Sequence, residues 1–163
     1  MTRVCLVGDG DVNLRYELLS RETSREALVT YDLREPFANT VGVETVSLGA
    51  AVALLNDLDW YLARFVDEAL ILEPSVDGTE WLSRDLATAI REDELDPDGT
   101  GRFLRVYGVE HPGEPERDDG TDRPPRLVEP MLLARTGGTL PEYDLRDVDE
   151  TLVVRVTEPE FEG

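Results

Sequence analysis

Lysine is missing from this sequence altogether: all 16 basic residues are arginine, set against 36 aspartates and glutamates, for a net charge of -20. There is one cysteine and one histidine. The lone Cys5 has no internal disulfide partner, and one Cys with one His does not make a zinc site of ordinary ligand type. A Cys5/His111 catalytic pair is disfavoured too, because Cys5 sits in an apolar run and a reactive thiolate needs an electropositive site. No run of basic residues exists; the loose group Arg117, Arg123 and Arg126 is surrounded by acids. That absence argues against nucleic acid as a partner, since phosphate binding rests on a Lys and Arg footprint. No 18-residue apolar run and no signal-peptide pattern occur, which argues against a membrane role and for a cytoplasmic protein.

What is present is a dense carboxylate coat on a chain with 40% hydrophobic residues, enough to bury a core. The charge therefore belongs on the surface. Arginine in place of lysine together with this coat suits a protein that stays hydrated in multimolar salt, where the Debye length shrinks to roughly 3 Å. Net charge of this kind speaks to solubility rather than to fold.

Periodicity predicts a first strand "RVCLVG", then a helix from about residue 12 or 13 to 26 carrying Leu14, Leu18 and Leu19. "ALVTYDL" and "VGVETVSL" read as two strands of a hairpin. The longest predicted element is a helix from about Gly49 to Glu73, stopped by Pro74, with Ala51, Leu55, Leu58, Leu62, Phe65 and Ala69 on one face. A second helix, "TEWLSRDLATAIRED", capped by Asp77 or Thr79, leads into the strand "RFLRVYGVE". This gives an α+β chain of ferredoxin-like βαββα(α)β order with a long central helix. Residues 111–126 are too polar to bury and read as a mobile acidic loop, and "LVEPMLLAR" and "ETLVVRV" read as a C-terminal strand extension. The whole, residues 1–163, fits one domain.

Two places invite a functional reading. The stretch "GDGDVN", comprising Gly8, Asp9, Gly10, Asp11 and Asn13, lies between the first strand and helix. Gly8 and Gly10 match two glycines of a dinucleotide loop, but Asn13 stands where the third belongs, and carboxylates repel a phosphate. Asp9, Asp11 and Asn13 alternate like the first ligands of an EF-hand, yet Leu14 and Ser20 occupy its glycine and glutamate positions. A bare turn, a small-ligand site or a cation site outside these families remain as readings. The second place is the long predicted helix, where Trp60 falls opposite the core stripe beside Arg64 and Asp67, with Ile71 three turns further along. Such a tryptophan is either covered by another element or an anchor for a protein partner or a second copy, with Arg64 able to stack on it.

The whole chain, beginning "MTRVCLVGDGDVNLRYELLSRETSREAL", resembles an uncharacterised family of proteins from halophilic archaea. The resemblance implies the salty compartment and supplies no catalytic or binding residue. No motif implies a cofactor or a metal. The expectation is a small interaction or regulatory domain, then a ligand-binding domain using residues 8–13, then an enzyme built on two carboxylates, its sign being a pair of perturbed pKa in a pocket.

Overall fold

The computed structural model describes residues 1–111, 124–135, 148 and 150–162. Most of the predicted 111–126 loop, residues 112–123, lies outside the described residues. The chain is α+β. Its elements run β1 (Thr2–Gly8), α1 (Leu14–Leu19), α2 (Glu22–Leu28), β2 (Thr40–Thr45), α3 (Leu48–Asp57), α4 (Asp59–Phe65), β3 (Val66–Leu72), β4 (Trp81–Ser83), α5 (Arg84–Arg91), β5 (Phe103–Glu110), β6 (Arg126–Ala134), β7 (Glu150–Arg155) and α6 (Glu158–Glu162). All seven strands join one sheet in the order β2-β1-β3-β4-β7-β5-β6. Neighbours are antiparallel except for the parallel pair β4 and β7.

Alternation along each strand divides the core in two. Val4 and Leu6 of β1, Val41 and Val43 of β2, and Ala69 and Ile71 of β3 meet Leu14, Leu18, Leu55, Leu58, Leu62 and Leu86 of the helical layer. On the opposite face Cys5 and Leu70 join Tyr107 and Val109 of β5 and Leu152 and Val154 of β7. There Phe161 of α6 packs on Phe103, with ring centres 4.9 Å apart. The inner strands are thus buried on both sides.

Double burial explains the largest departure from the sequence-based expectation. The long central helix from Gly49 to Glu73 does not form. Ser47 caps α3 by accepting from the Ala50 N–H at 3.1 Å, the helical path breaks at Leu58, α4 ends at Phe65, and "VDEALIL" becomes β3 between β1 and β4. A strand covered on both faces is apolar throughout rather than alternating, so by pattern alone it continues the helix before it.

Other elements shift for local reasons. The expected helix over 12–26 is two, separated at Ser20 and Arg21, where Arg21 is extended. "ALVTYDL" is not a strand: Ala27 and Leu28 end α2, and the Tyr31 N–H turns back to the Leu28 carbonyl at 3.0 Å. With no hairpin partner, β2 pairs with β1 in the register Val4↔Val43, and a single bridge, Arg34↔Gly42, lies beyond it. Trp81, Leu82 and Ser83 form a short strand before Ser83 caps α5, while Asp77 holds the preceding turn by accepting from the Thr79 and Glu80 N–H groups. The ferredoxin-like βαββα(α)β order is therefore absent. Both predicted C-terminal strands do extend the sheet, but β7 inserts between β4 and β5 rather than adding at an edge.

Candidate functional site

The Gly8–Asn13 turn is held by a residue the sequence did not point to, Asn39. The Gly8 N–H donates to the Asn39 carbonyl at 2.9 Å, and the Asn39 side chain donates to the Asp9 carbonyl at 3.0 Å while accepting from the Leu14 N–H at 2.9 Å. Asn39 itself has φ of 56°, a left-handed conformation that Asn tolerates better than most residues. A Cβ on Gly8 would stand 2.6 Å from the Asn39 amide nitrogen and 2.8 Å from its carbonyl oxygen. Glycine is needed there for close approach. Further along, Asp9 accepts from the Asp11 N–H at 3.0 Å, and Asn13 caps α1 by accepting from the Tyr16 N–H at 3.1 Å. The structure brings Gly8, Asp9, Gly10, Asp11 and Asn13 together as one turn, tied to Asn39 and to the start of α1. Among the described residues no group of three or more His, Cys, Asp and Glu is placed to hold a metal ion.

On α4, Trp60 remains 48% exposed. Arg64, one turn on, lies 3.8 Å from the centre of its ring and anchors its guanidinium by donating to the Trp60 carbonyl at 2.8 Å. From the end of α1, Arg21 reaches over Phe65 at 5.0 Å and Trp60 at 5.6 Å. Arginine over an aromatic face is attractive by about 0.5–1 kcal/mol at exposed sites, and it stiffens both side chains. The result is an exposed ring with one cation stacked close on it and a second nearby. Asp67, exposed, follows on β3. Ile71 does not belong to this surface: it is fully buried on β3 against the helical layer, because the helix that would have carried it outward ends at Phe65.

Beneath α4 opens a cleft of about 240 Å³ whose lining includes Leu62, Ala63, Asp67, Glu68 and Glu160. Glu68 points inward and pairs with Arg105 of β5, side chains that are 14% and 18% exposed. Burial pushes the Glu68 carboxyl up to about 7; Arg105 pulls it the other way, and the negative charges of Glu160 and Asp67 add to the rise. Burial likewise raises the neighbouring Tyr107 hydroxyl above its ordinary range, with the Glu68 charge adding. A carboxyl near neutrality beside a cleft is equipped to give or take a proton at ordinary pH. Sequence reasoning missed this group. Glu68 and Arg105 are 37 residues apart, and a glutamate inside a run read as helix carries no sign that it faces a strand partner.

These three places frame the comparison with known proteins. Residues 2–109 match the model of a family described as "Family of unknown function (DUF5804)". The chain belongs to that family. The DUF5804 match takes in the Gly8–Asn13 turn, the exposed face of α4 and the Glu68–Arg105 pair, while β6, β7 and α6 follow it. No curated protein and no solved structure matches the chain.

Proposed function

We propose that this DUF5804 chain is a small protein-interaction or regulatory domain that docks a partner protein, or a second copy of itself, through the outer face of α4. The observation that carries this reading is the Trp60 ring, 48% exposed with Arg64 stacked 3.8 Å from its centre. Tryptophan and arginine are the side chains most often found at the energetic centres of interfaces. A rigid stacked pair also loses less entropy on docking than two free side chains. Arg21 and Phe65 widen the anchor. The acidic, lysine-free surface supports a salt-rich cytoplasm as the setting, where screening lets chains of net charge -20 approach one another. Among the described residues no helix is long and apolar enough to cross a membrane.

The test is affinity capture from cytosol at matched salt with the tagged chain and its Trp60→Ala variant, alongside sedimentation of the pure protein. A partner, or a dimer, seen with the first and lost with a folded second supports the reading; loss of neither removes it. A second reading, a carboxylate-based enzyme, has one raised carboxyl at a cleft, Glu68, in its favour, which is half of the pair that such chemistry would call for. A ligand or cation site at Gly8–Asn13 finds less support, since Asn39 and the start of α1 already take up polar groups of the turn.

A further inference from the structure

On the sheet face turned away from the helical layer, the register of β1 and β2 sets two small residues side by side. Cys5 lies opposite Gly42, and Arg3 opposite Glu44, while the intervening valines Val4 and Val43 point to the helices. Gly42 has no side chain and Cys5 a short one, and both are buried beneath what packs on this face. Pro36 covers Gly42: the Arg34↔Gly42 bridge lays this segment along β2, and a Cβ on Gly42 would be 3.0 Å from the proline ring, which therefore forms one wall of the space beside it. Trp81 of β4 stands on the other side, and the trough between encloses about 400 Å³, the size of a small-molecule site. Burial pushes the Cys5 thiol up to about 12, so it is an inert group beneath the trough and not a nucleophile in it.

The rim is unlike the rest of the surface. The whole chain has 36 acids to 16 bases, but the trough is edged by two of each, Arg3, Arg34, Glu35 and Glu44. Their existing pairings are loose. Arg3 reaches Glu44 at 3.9 Å and Arg34 reaches Asp32 at 3.7 Å, all on well-exposed side chains. Exposed pairs of this kind contribute little to stability, so either arginine and Glu44 can exchange its partner for a ligand group at small cost. A proline wall, an indole wall and a rim carrying both signs complement a molecule with an apolar body and both charges.

We propose that this trough binds a small zwitterion of amino-acid type with a flat apolar body, its carboxylate taken by Arg3 or Arg34, its ammonium by Glu44 or Glu35, and its body laid between Pro36 and Trp81. The site is separate from the α4 face and stands or falls independently of it.

The chain has two tryptophans, so Trp60→Phe leaves Trp81 as the single emitter in the trough. In that background, L-phenylalanine, 3-phenylpropanoate and phenethylamine are titrated while Trp81 emission is followed, with calorimetry on the unmodified chain. Phenylalanine is expected to give a saturable change, and each singly charged analogue, which lacks one of the charged contacts, to bind roughly tenfold more weakly. The double variants Arg3→Gln/Arg34→Gln and Glu35→Gln/Glu44→Gln, all at exposed positions outside the core, are each expected to weaken phenylalanine by roughly the same factor with unchanged circular dichroism. No saturable change with phenylalanine overturns the proposal. So does equal binding of either analogue, which would make the trough a plain anion or cation site, or full affinity in both glutamine variants.

Discussion

If Glu68 is held in the fold as a carboxyl that resists ionisation, the stability of the protein carries that cost as a pH dependence. The folded-state pKa is raised from 4.5 to about 7, chiefly by burial. For a carboxyl the raised value means that the native state binds the proton more tightly than the unfolded chain does. Stability from this group is therefore fully present below about pH 4.5 and is lost as pH climbs through about 7. A rise of about 2.5 units corresponds to roughly 3 kcal/mol between those limits. With 36 acids in the chain, the wild-type curve alone mixes many groups, so the informative quantity is a difference. Glu68→Gln keeps the shape and removes the titration, and the loss of its Arg105 partner is an offset that does not vary over this range. Denaturant midpoints of both proteins should be measured from pH 4.5 to 8 at fixed salt. Relative to the variant, the wild type should fall by roughly 3 kcal/mol across the window. A flat difference, or one in which the wild type gains as pH rises, would mean that Arg105 dominates and that Glu68 is an ordinary ion-pair carboxylate.

Three other outcomes follow from the geometry. Gly8→Ala should cost roughly 1–3 kcal/mol in urea unfolding, because the new Cβ meets the Asn39 backbone oxygen at 2.8 Å; an unchanged midpoint would mean that the turn yields freely. Arg155 bonds Glu80 at 2.7 Å and Asp77 at 3.3 Å with its side chain only 11% exposed, so Arg155→Ala should cost about 3 kcal/mol by thermal unfolding, the lower end for a broken buried pair because Arg135 still holds Glu80. The Cys5 thiol, 1% exposed and titrating near 12, should react with a disulfide reagent only as fast as the protein unfolds, and rapid labelling of the native protein would contradict its placement between β2 and β3.

The residues that were legible in the sequence are those whose pattern has one structural solution. The strand "RVCLVG", the strand "RFLRVYGVE" and both C-terminal strands formed where expected. What failed was period where burial is two-sided: "VDEALIL" has no polar face to reveal strand alternation, so the central strand merged with α4 and carried Ile71 to a surface it never reaches. Sheet order was illegible for a different reason, since β7 enters beside β4 through pairings far apart in sequence that no local signal encodes. At the candidate sites, helical spacing alone leaves the exposure of Trp60 open between cover by another element and a free face, but its pairing with Arg64 was readable from that spacing, because the two lie one turn apart. Arg21, Asn39 and Arg105 were not, since each arrives from another element.

The claim that α4 is a docking surface is tested most directly by the affinity of the captured partner, or of self-association, for three proteins: the wild type, Trp60→Ala, and Val46→Ala, which removes an exposed side chain outside α4. An interface centred on Trp60 predicts a loss of about 2 kcal/mol or more, roughly 30-fold in Kd, for the tryptophan variant and none for the valine control. Equal affinities of all three, with each variant folded, would place the contact elsewhere and contradict the account.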